Sequence, residues 1–444
     1  MDKIPPKDLK KPDDSPLDWL NSLERLGINF GLERVHAILD LLSNPEKNLV
    51  VIHITGTNGK GSVAAFISKI LEVAGYMVGL YTSPHLQDVR ERIQLNGKLI
   101  GNDELLSLLR QIRIFNQTLD LKLTYFEVLT VAALAYFREK NVNYAVLEAG
   151  MGGRLDATNV VENVLVSIIT NIDYEHTDYL GTMLSQIAYE KAGIIRDKGA
   201  VVTGAERIAR ETIATVCASR EAKLYALGKE IKFTKDQEFN YTGINQNFSN
   251  LEIGLLGEHQ YFNAALSIAA IEILISKGAA ISEKHIRRGL KEVYWPGRME
   301  LFGVNIFDKK LKVVLEGAHN PQGMEILRKN LVKKVIPHQK LILVVGIFKD
   351  KDADEMFKQI APAVSELIIT QSSNNPRACP AEELKPIARH YIAEEKIKVF
   401  SDLSSALKEA FYTAGEKDLI CIAGSLYLVG EVRTLFMEMG RKTA

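Results

Sequence analysis

A glycine-rich segment carries the strongest chemical signal in this sequence. It runs Gly56-Thr57-Asn58-Gly59-Lys60-Gly61-Ser62, between a β-branched run at 50–54 and an apolar-periodic segment that starts at Val63. Such a loop directs backbone N–H groups and a helix N-terminus at one place, which suits phosphate, and Lys60 adds a positive charge. The usual phosphate-loop pattern has Ser or Thr directly after the lysine, whereas Gly61 intervenes here. We predict a nucleoside triphosphate site, with a plain strand-to-helix turn as the alternative.

Polar side chains follow three other strand-like runs. Ser83 follows the run at 77–81, Glu148 follows the run at 144–147, and His176 lies shortly after the run at 164–170. Ligands of open α/β sheets bind beyond the carboxyl ends of the strands. An acid placed there, opposite a phosphate loop, can hold Mg²⁺, which prefers oxygen ligands. Taken singly, Glu148 is also compatible with a capping role, His176 with a structural role and Ser83 with a turn.

The elements that must position these residues alternate between strand-like and helix-period segments. This alternation predicts an α/β fold with mostly parallel sheets covered by helices. The strand-like runs are 49–54, 77–81, 144–147, 164–170 and 200–203 in the first part, then 312–315, 341–345, 367–370, 396–400 and 419–423. We therefore predict an N-terminal P-loop-type domain with a mostly parallel sheet and a smaller C-terminal Rossmann-like α/β domain.

The chain has 444 residues, which exceeds one comfortable core and favours two domains. Trp295-Pro296-Gly297-Arg298 interrupts the alternation and places the boundary. We predict a flexible lead at 1–16, a first domain at 17–297 and a second at 298–444. The Asn- and Gly-rich stretch at 229–257 is expected to form hairpins at an edge.

Bulk composition excludes several classes of protein. The formal net charge is zero, so no basic excess favours nucleic acid or an anionic membrane as the main partner. Cys217, Cys379 and Cys421 are far apart, which fits a reducing compartment and argues against a disulfide framework or a metal cage. The first residues have no apolar signal core, and no later run is long enough to span a bilayer. We expect a cytoplasmic protein.

Taken together, these segments resemble the folylpolyglutamate synthase/dihydrofolate synthase branch of the Mur ligases. The glycine after the lysine is itself typical of this branch. The motifs that carry the resemblance follow the family's order over nearly the whole chain: Gly56 to Ser62, Ser83-Pro84-His85-Leu86, Glu91-Arg92-Ile93, Leu123-Thr124-Tyr125-Phe126-Glu127, Glu148 to Asn159, His176, Glu190-Lys191-Ala192-Gly193, Pro296-Gly297-Arg298 and Gly317-Ala318-His319-Asn320-Pro321. The resemblance implies that 17–297 is an ATP-binding domain of the Mur-ligase central type.

The resemblance also implies roles for individual residues. The expected catalytic residues are Lys60, Glu148, His176, Lys191 and His319. Lys191 matches a lysine that this family carbamylates. The expected ATP-binding residues are Thr57, Asn58, Gly59, Lys60, Gly61, Ser62, Asn263, Arg298 and Glu316. Two Mg²⁺ ions are implied, one held by Ser83 and Glu148 and the other by Glu148 and His176.

A third set of residues matches the family's site for pteroate or folate. It comprises Phe30, Gly31, Leu32, Thr124, Phe126, Arg154, Asp156 and Ala157. Three positions depart from the family pattern: Glu316 and Glu175 stand where Asp is usual, and Phe30 stands where Leu is common. None of these changes removes a chemical group, so the implied activity is retained.

The implied reaction joins L-glutamate to dihydropteroate and to folates that already carry glutamate, through an ATP-derived acyl phosphate. The partners are then small molecules, and the family favours a monomer. A ligase that only extends polyglutamate is the nearest alternative. A cell-wall Mur ligase would need a further N-terminal domain, for which the lead before Leu17 is too short. A nucleotide-gated switch would favour a guanine-reading Asn-Lys-x-Asp loop, which the sequence lacks.

Overall fold

The computed structural model of the protein describes residues 15–27, 29–373 and 375–442. Most of the predicted lead at 1–16 lies outside the described residues. Its last two residues are already structured, because Ser15 caps the first helix and Pro16 begins it. The Ser15 hydroxyl accepts a hydrogen bond from the Asp18 N–H, and the Asp18 side chain accepts one from the Ser15 N–H. This reciprocal pair starts the helix earlier than we predicted.

An eight-stranded sheet forms the first half of the chain, with the strand order β4-β3-β2-β5-β1-β6-β7-β8. Its strands are β1 (Val51–Thr55), β2 (Val78–Tyr81), β3 (Ile93–Leu95), β4 (Lys98–Leu99), β5 (Tyr144–Glu148), β6 (Val164–Ile169), β7 (Ala200–Thr203) and β8 (Lys223–Ala226). Six strands are parallel, and β3 and β4 add antiparallel pairs at one edge. Strand β1 is central, so the segment that follows it leaves the middle of the sheet.

Helices cover both faces of this sheet. They are α1 (Pro16–Ser22), α2 (Glu33–Leu41), α3 (Lys60–Val73), α4 (Asn102–Thr118), α5 (Tyr125–Glu139), α6 (Thr177–Leu180), α7 (Leu184–Ala192), α8 (Arg207–Ser219), α9 (His259–Ser276) and α10 (Glu283–Glu292). Ile52 and Ile54 pack into the core with α3, α9 and α10, whereas Val51 packs into the core with α2, α4 and α5. Of the helices in the described ranges, none combines the length and apolar character needed to cross a bilayer.

The predicted hairpins between 229 and 257 are present, but their expected position at an edge is wrong. They form a separate antiparallel sheet of β9 (Lys232–Lys235), β10 (Phe239–Thr242) and β11 (Asn247–Leu251). The buried carboxylate of Glu272 on α9 accepts hydrogen bonds from the backbone N–H groups of 244–246 and from the Tyr241 hydroxyl. These bonds fasten the hairpins to a helix instead of a strand edge.

A six-stranded sheet forms the last third of the chain, in the order β12-β13-β17-β14-β15-β16. The strands are β12 (Glu300–Ile306), β13 (Lys309–Leu315), β14 (Leu341–Val345), β15 (Glu366–Ile369), β16 (Ile397–Val399) and β17 (Leu419–Ala423), and the helices are α11 (Pro321–Val332), α12 (Ala353–Ile360), α13 (Ala381–Ala388), α14 (Leu403–Thr413) and α15 (Leu426–Lys442). Only β12 runs antiparallel within this sheet of described strands. The predicted α/β fold with a large first sheet and a smaller second sheet is confirmed.

Candidate active site

A cavity of about 280 Å³ lies between the two large sheets. The segment after β1 forms one wall, and the segments around β12 and β13 form the opposite wall. Residues that the sequence analysis predicted make up much of its lining: Thr57, Asn58, Gly59, Lys60, Gly61, Ser62, Ser83, Glu148, His176, Asn263, Arg298, Glu316 and His319. The fold therefore brings together residues that are up to about 260 positions apart in the chain.

The phosphate loop has a backbone conformation that requires glycine. Gly59 has φ +85° and caps α3, and a Cβ there would lie 2.5 Å from the Asn263 amide oxygen. Asn171 anchors the loop, since its carbonyl and side-chain oxygens accept from the N–H groups of Thr57 and Asn58 at 2.9 and 2.8 Å. The Lys60 ammonium donates to the carbonyl oxygens of Gly56 and Thr57, both at 3.0 Å. The lysine thus lies against its own loop.

Gly61, the departure from the usual phosphate-loop pattern, has a packing reason. A Cβ at this position would lie 3.1 Å from Nε1 of Trp295 and 3.5 Å from Oε2 of Glu148. The first distance is tighter than ordinary contact, so the indole would have to move. Trp295 belongs to the segment that connects the two large sheets. Gly61 therefore permits that segment to approach the start of α3, a role that the sequence analysis missed.

Ser83, Glu148 and His176 all line this cavity and could hold a cation. Glu148 is buried at the end of β5, and its Oε2 accepts a hydrogen bond from the Ser83 N–H at 3.2 Å. Burial raises the pKa of Glu148 to about 7, although the charge of Lys60 opposes the rise. Burial lowers the pKa of His176 to about 4, which leaves a neutral imidazole able to bind metal. A buried carboxylate with little hydrogen bonding, a hydroxyl and a neutral imidazole fit a divalent cation.

These residues do not form a closed metal cage. Within the described ranges, no group of three or more His, Cys, Asp or Glu side chains is placed to enclose a cation. A Mg²⁺ ion characteristically takes only one or two protein carboxylates and completes its coordination with water and substrate phosphate. The open arrangement around Glu148 is therefore compatible with a cation shared with a nucleotide.

Glu175 connects the two halves of the site. Its Oε1 lies 3.9 Å from Nε2 of His176 and 4.0 Å from Nε2 of His319, and it accepts a hydrogen bond from the Asn320 amide at 3.4 Å. Burial by itself would raise the pKa of Glu175, but the charges of the surrounding Lys60, His176, Lys191 and His319 together outweigh it, and the pKa is lowered. The longer side chain at this position thus places a negative charge between a histidine of each half.

Lys191 lies behind the phosphate loop and outside the lining of the cavity. Its side chain is fully buried, and Nζ donates a hydrogen bond to the Gly56 carbonyl oxygen at 2.8 Å. Burial, assisted by the charge of Lys60, lowers the pKa of Lys191 to about 7. A substantial share of this amine is therefore neutral and nucleophilic at physiological pH.

A second cavity of about 280 Å³ lies on the α5 side of the first sheet. Phe30, Gly31, Thr124, Phe126, Asp156 and Ala157 line it, as does the buried Arg92, which donates to Nδ1 of His85 at 3.0 Å. The two cavities share Ser83, Pro84, Gly150 and His176. A ligand in the second cavity can therefore present one end to a ligand in the first.

Two residues predicted for this second cavity do not line it. Arg154 is half exposed, and its guanidinium pairs with the Glu190 carboxylate at 2.9 Å. Leu32 packs against the apolar core formed with α2 and α5. Phe30 does line the cavity, and its ring makes an edge contact with Tyr179 at a centroid distance of 6.0 Å.

The second sheet contributes a buried acid and a histidine. Oε1 of Glu316 lies 3.9 Å from the Arg298 guanidinium, and its Oε2 accepts from the Met299 N–H at 2.8 Å. Burial raises the pKa of Glu316, opposed by the charge of Arg298. Nδ1 of His319 lies 2.8 Å from the Gly317 carbonyl oxygen, so Nε2 remains available to the cavity.

The sequence analysis missed polar residues of the second half, among them Gln322 and Lys351. Oε1 of Gln322, at the start of α11, accepts hydrogen bonds from the side-chain amides of Asn58 and Asn171. Lys351 follows β14 and lines the first cavity. The rule that directs attention to the carboxyl ends of strands would have found Lys351 if we had applied it to the second sheet. No sequence signal identifies Gln322, because its partners are distant in the chain.

Comparisons with known proteins show the family to which the chain is similar. The model of the Mur ligase middle domain matches residues 54–271, and the model of the Mur ligase glutamate ligase domain matches residues 297–426. The dihydrofolate synthase/folylpolyglutamate synthase of Bacillus subtilis is 33% identical over 94% of this chain and 97% of that protein. The folylpolyglutamate synthase of Lacticaseibacillus casei is 32% identical over 94% of this chain and 96% of that protein.

Solved structures show the same similarity. Escherichia coli FolC in complex with DHPP and ADP has a TM-score of 0.87 and 29% identity, over 96% of this chain and 99% of that one. A bifunctional folylpolyglutamate synthase/dihydrofolate synthase with Mn, AMPPNP and L-glutamate bound has a TM-score of 0.83 and 30% identity, over 96% of this chain and 100% of that one. The chain therefore belongs to the Mur ligase family, in its folylpolyglutamate synthase/dihydrofolate synthase branch.

Proposed function

We propose that this chain, an ATP-dependent amide-forming ligase by family, adds L-glutamate both to dihydropteroate and to tetrahydrofolate that already carries glutamate. The observation that carries the proposal is the meeting of the two cavities at Ser83 and His176, with Glu148 beside them. One cavity has a phosphate loop, and the other has the aromatic and acidic lining that suits a folate-type ring system. Their junction is where a γ-phosphate and a substrate carboxylate would meet.

ATP would occupy the cavity between the sheets. Thr57 to Ser62 would surround the phosphates, while Asn263, Arg298 and Glu316 would contact the rest of the nucleotide. Among the described residues, the Lys60 ammonium donates only to backbone carbonyl oxygens, so it can move to the phosphates when they bind. It would then stabilise the charge that develops during phosphoryl transfer.

Ser83, Glu148 and His176 would hold Mg²⁺, and the sequence resemblance implies two such ions. When bound, Mg²⁺ neutralises negative charge on the phosphates and on the incoming carboxylate. The raised pKa of Glu148 supports this assignment, since a nearby cation would return the buried carboxylate to its ionised form.

The reaction would proceed in two steps. A carboxylate oxygen of the substrate bonds to the γ-phosphorus and ADP leaves, which gives an acyl phosphate. The amine of glutamate then bonds to the acyl carbon, phosphate leaves and a proton is released. No side chain needs to act as a covalent nucleophile, so orientation and electrostatic stabilisation supply most of the catalysis.

We also propose that Lys191 is carbamylated. Its neutral amine would bond to the carbon of CO₂ and lose a proton, and the product would be an anion beside the phosphate loop. Burial of the side chain and its lowered pKa support this proposal. The carbamate would balance the positive charge of Lys60.

Because water hydrolyses an acyl phosphate, the second half must close over the first. We propose domains at 17–297 and 298–444, with Arg298 at the hinge and His319 brought to the reacting groups. The Glu175 carboxylate, which faces His319 across the cavity at 4.0 Å, supports such an arrangement. We further propose a cytoplasmic monomer.

The test measures ADP release with ATP and glutamate in three reactions: with dihydropteroate, with monoglutamyl tetrahydrofolate and without an acceptor. We expect release with both acceptors and little without one, together with glutamylated products by mass spectrometry. Release with tetrahydrofolate alone would support a ligase that only extends polyglutamate. Equal release in all three reactions would overturn the proposal in favour of a nucleotide-gated switch.

A further inference from the structure

Two polar side chains occupy the core face of the strand that leads into the phosphate loop. His53 and Thr55 are alternate residues of β1, so they lie on the same face, and both are fully buried. The neighbours of His53 on β1 are apolar. Burying polar groups destabilises a fold unless hydrogen bonds compensate. The hydrogen-bond partners of His53 and Thr55 therefore indicate the roles of these two side chains.

The His53 ring continues into a chain of hydrogen bonds that ends at Asp156. Nε2 of His53 lies 2.8 Å from Oγ1 of Thr158, and that oxygen lies 2.5 Å from Oδ1 of Asp156. Burial raises the pKa of Asp156, and hydrogen bonds from Thr158 and from backbone N–H groups oppose the rise. Both carboxylate oxygens accept from backbone N–H groups, which favours the ionised form, so the Thr158 hydroxyl donates to Asp156 and accepts from His53. Nε2 of His53 must then carry the proton.

Two further features of His53 agree with hydrogen-bond donation from its Nε2 to Thr158. Its Nδ1 is buried and has no partner among the described residues, which suits a nitrogen without a hydrogen. Burial, with the charge of Arg196, lowers the pKa of His53 to about 3, so the ring is neutral. The His53 tautomer with its hydrogen on Nε2 provides a donor for each hydrogen bond from His53 through Thr158 to Asp156.

Thr55 makes a second hydrogen bond from β1 to the segment that contains Asp156 and Thr158. Its hydroxyl donates to the Gly152 carbonyl oxygen at 2.5 Å. The segment between Gly150 and Thr158 includes five residues that line the second cavity, namely Gly150, Met151, Leu155, Asp156 and Ala157. Asp156 also accepts from the backbone N–H groups of Met151 and Thr158, at 2.9 and 3.0 Å. Three donors thus fix the orientation of this carboxylate at the cavity wall.

We propose that His53 and Thr158 are positioning residues that hold the Asp156 carboxylate for recognition of an N–H-bearing heterocycle such as a pterin. The inference rests on the proposed function, which places this ring system in the second cavity. Neither side chain lines the cavity, so both act through Asp156. The chain of bonds also joins the strand of the phosphate loop to the folate-type site.

Steady-state kinetics of Thr158→Val and Thr158→Ser test the proposal. Valine keeps the shape but loses the hydroxyl, so we expect KM for dihydropteroate to rise about tenfold, with KM for ATP within about twofold of wild type. Serine keeps the hydroxyl and should restore the wild-type KM. Ser167→Ala is the matched control, since Ser167 on β6 is also buried and its hydroxyl donates to a backbone carbonyl, that of Ile194.

Two outcomes would overturn the inference. One is a dihydropteroate KM that is the same in Thr158→Val and Thr158→Ser, and the other is an equal rise of all KM values, which indicates a merely structural role. Absence of wild-type turnover with dihydropteroate and tetrahydrofolate would instead refute the proposed function. If Thr158→Val does not fold, the inference is tested instead by ¹⁵N NMR of the wild-type protein, which reports the tautomer of His53. We expect a neutral His53 with its hydrogen on Nε2 at pH 7, and a hydrogen on Nδ1 would overturn the chain.

Discussion

Nζ of Lys191 donates a hydrogen bond to the carbonyl oxygen of Gly56, the first residue of the phosphate loop, at 2.8 Å. This bond joins a fully buried amine on α7 to the loop that would hold the nucleotide. Lys60 donates to the same carbonyl oxygen at 3.0 Å, so two lysine amines converge on one acceptor. Burial, and after it repulsion from the charge of Lys60, disfavours the charged form of Lys191 and lowers its pKa.

Carbamylation of Lys191 should therefore increase as the pH rises. The amine must be neutral to bond to CO₂, so the carbamate should increase as pH rises through about 7, the lowered pKa of Lys191. ¹³C NMR of protein in labelled bicarbonate should show one carbamate signal that Lys191→Gln removes and Lys198→Gln, on the surface, retains. A signal that survives Lys191→Gln would contradict the assignment.

Lys60 and Glu148 should each be essential for turnover. Lys60→Ala removes the mobile charge at the phosphates, and Glu148→Ala removes the carboxylate proposed to hold Mg²⁺. We expect turnover to fall at least about 10²-fold in either variant, with unchanged circular dichroism, because electrostatic groups at the reacting centre contribute effects of this size. The exposed Glu139→Gln is the control for a lost carboxylate. Near-normal turnover in either site variant would refute the assigned site.

Glu148 should also make the metal-free protein less stable at high pH. Its pKa in the folded state is about 7, above its usual value of 4.5, so the folded protein binds more protons between these values. Stability is then lost as pH rises from 4.5 through 7, by on the order of 3 kcal/mol from this group. Chemical unfolding in EDTA at pH 8 should find Glu148→Gln more stable than wild type, whereas equal or lower stability would contradict the raised pKa.

Gly61→Ala should impair activity through Trp295. The new methyl group would approach the indole Nε1 to 3.1 Å, so the connecting segment or the start of α3 must shift. We expect kcat to fall severalfold while the protein remains folded, since even a shift of a few tenths of an ångström misaligns positioned reactants. Gly303→Ala on β12 is the matched control, because nothing lies within 4 Å of its added Cβ. Equal kcat values for the two variants would exclude the steric explanation.

Much of the fold follows from local patterns. The strands that carry Glu148 and the phosphate loop were predicted within one or two residues, because β-branched runs followed by polar turns depend on neighbours in the chain. The antiparallel strands β3, β4 and β12 were missed, since short or half-exposed strands have weak patterns. The hairpins of β9 to β11 were placed wrongly, because the partner that holds them is the distant carboxylate of Glu272.

The chemistry of the site could be predicted from residue types and their order. A lysine in a glycine-rich loop and acids directly after strands indicate the same chemistry whatever the tertiary arrangement, because these signals are local in sequence. The contacts that complete the site depend on tertiary packing. The contact between Gly61 and Trp295, the bonds of Gln322 to Asn58 and Asn171, and the chain from His53 to Asp156 each join residues far apart in sequence. Burial is likewise a property of the folded molecule. It lowers the pKa of Lys191 to about 7, so that a substantial share of the amine is neutral, and it raises the pKa of Glu148 to about 7, so that the carboxylate needs a cation to stay ionised.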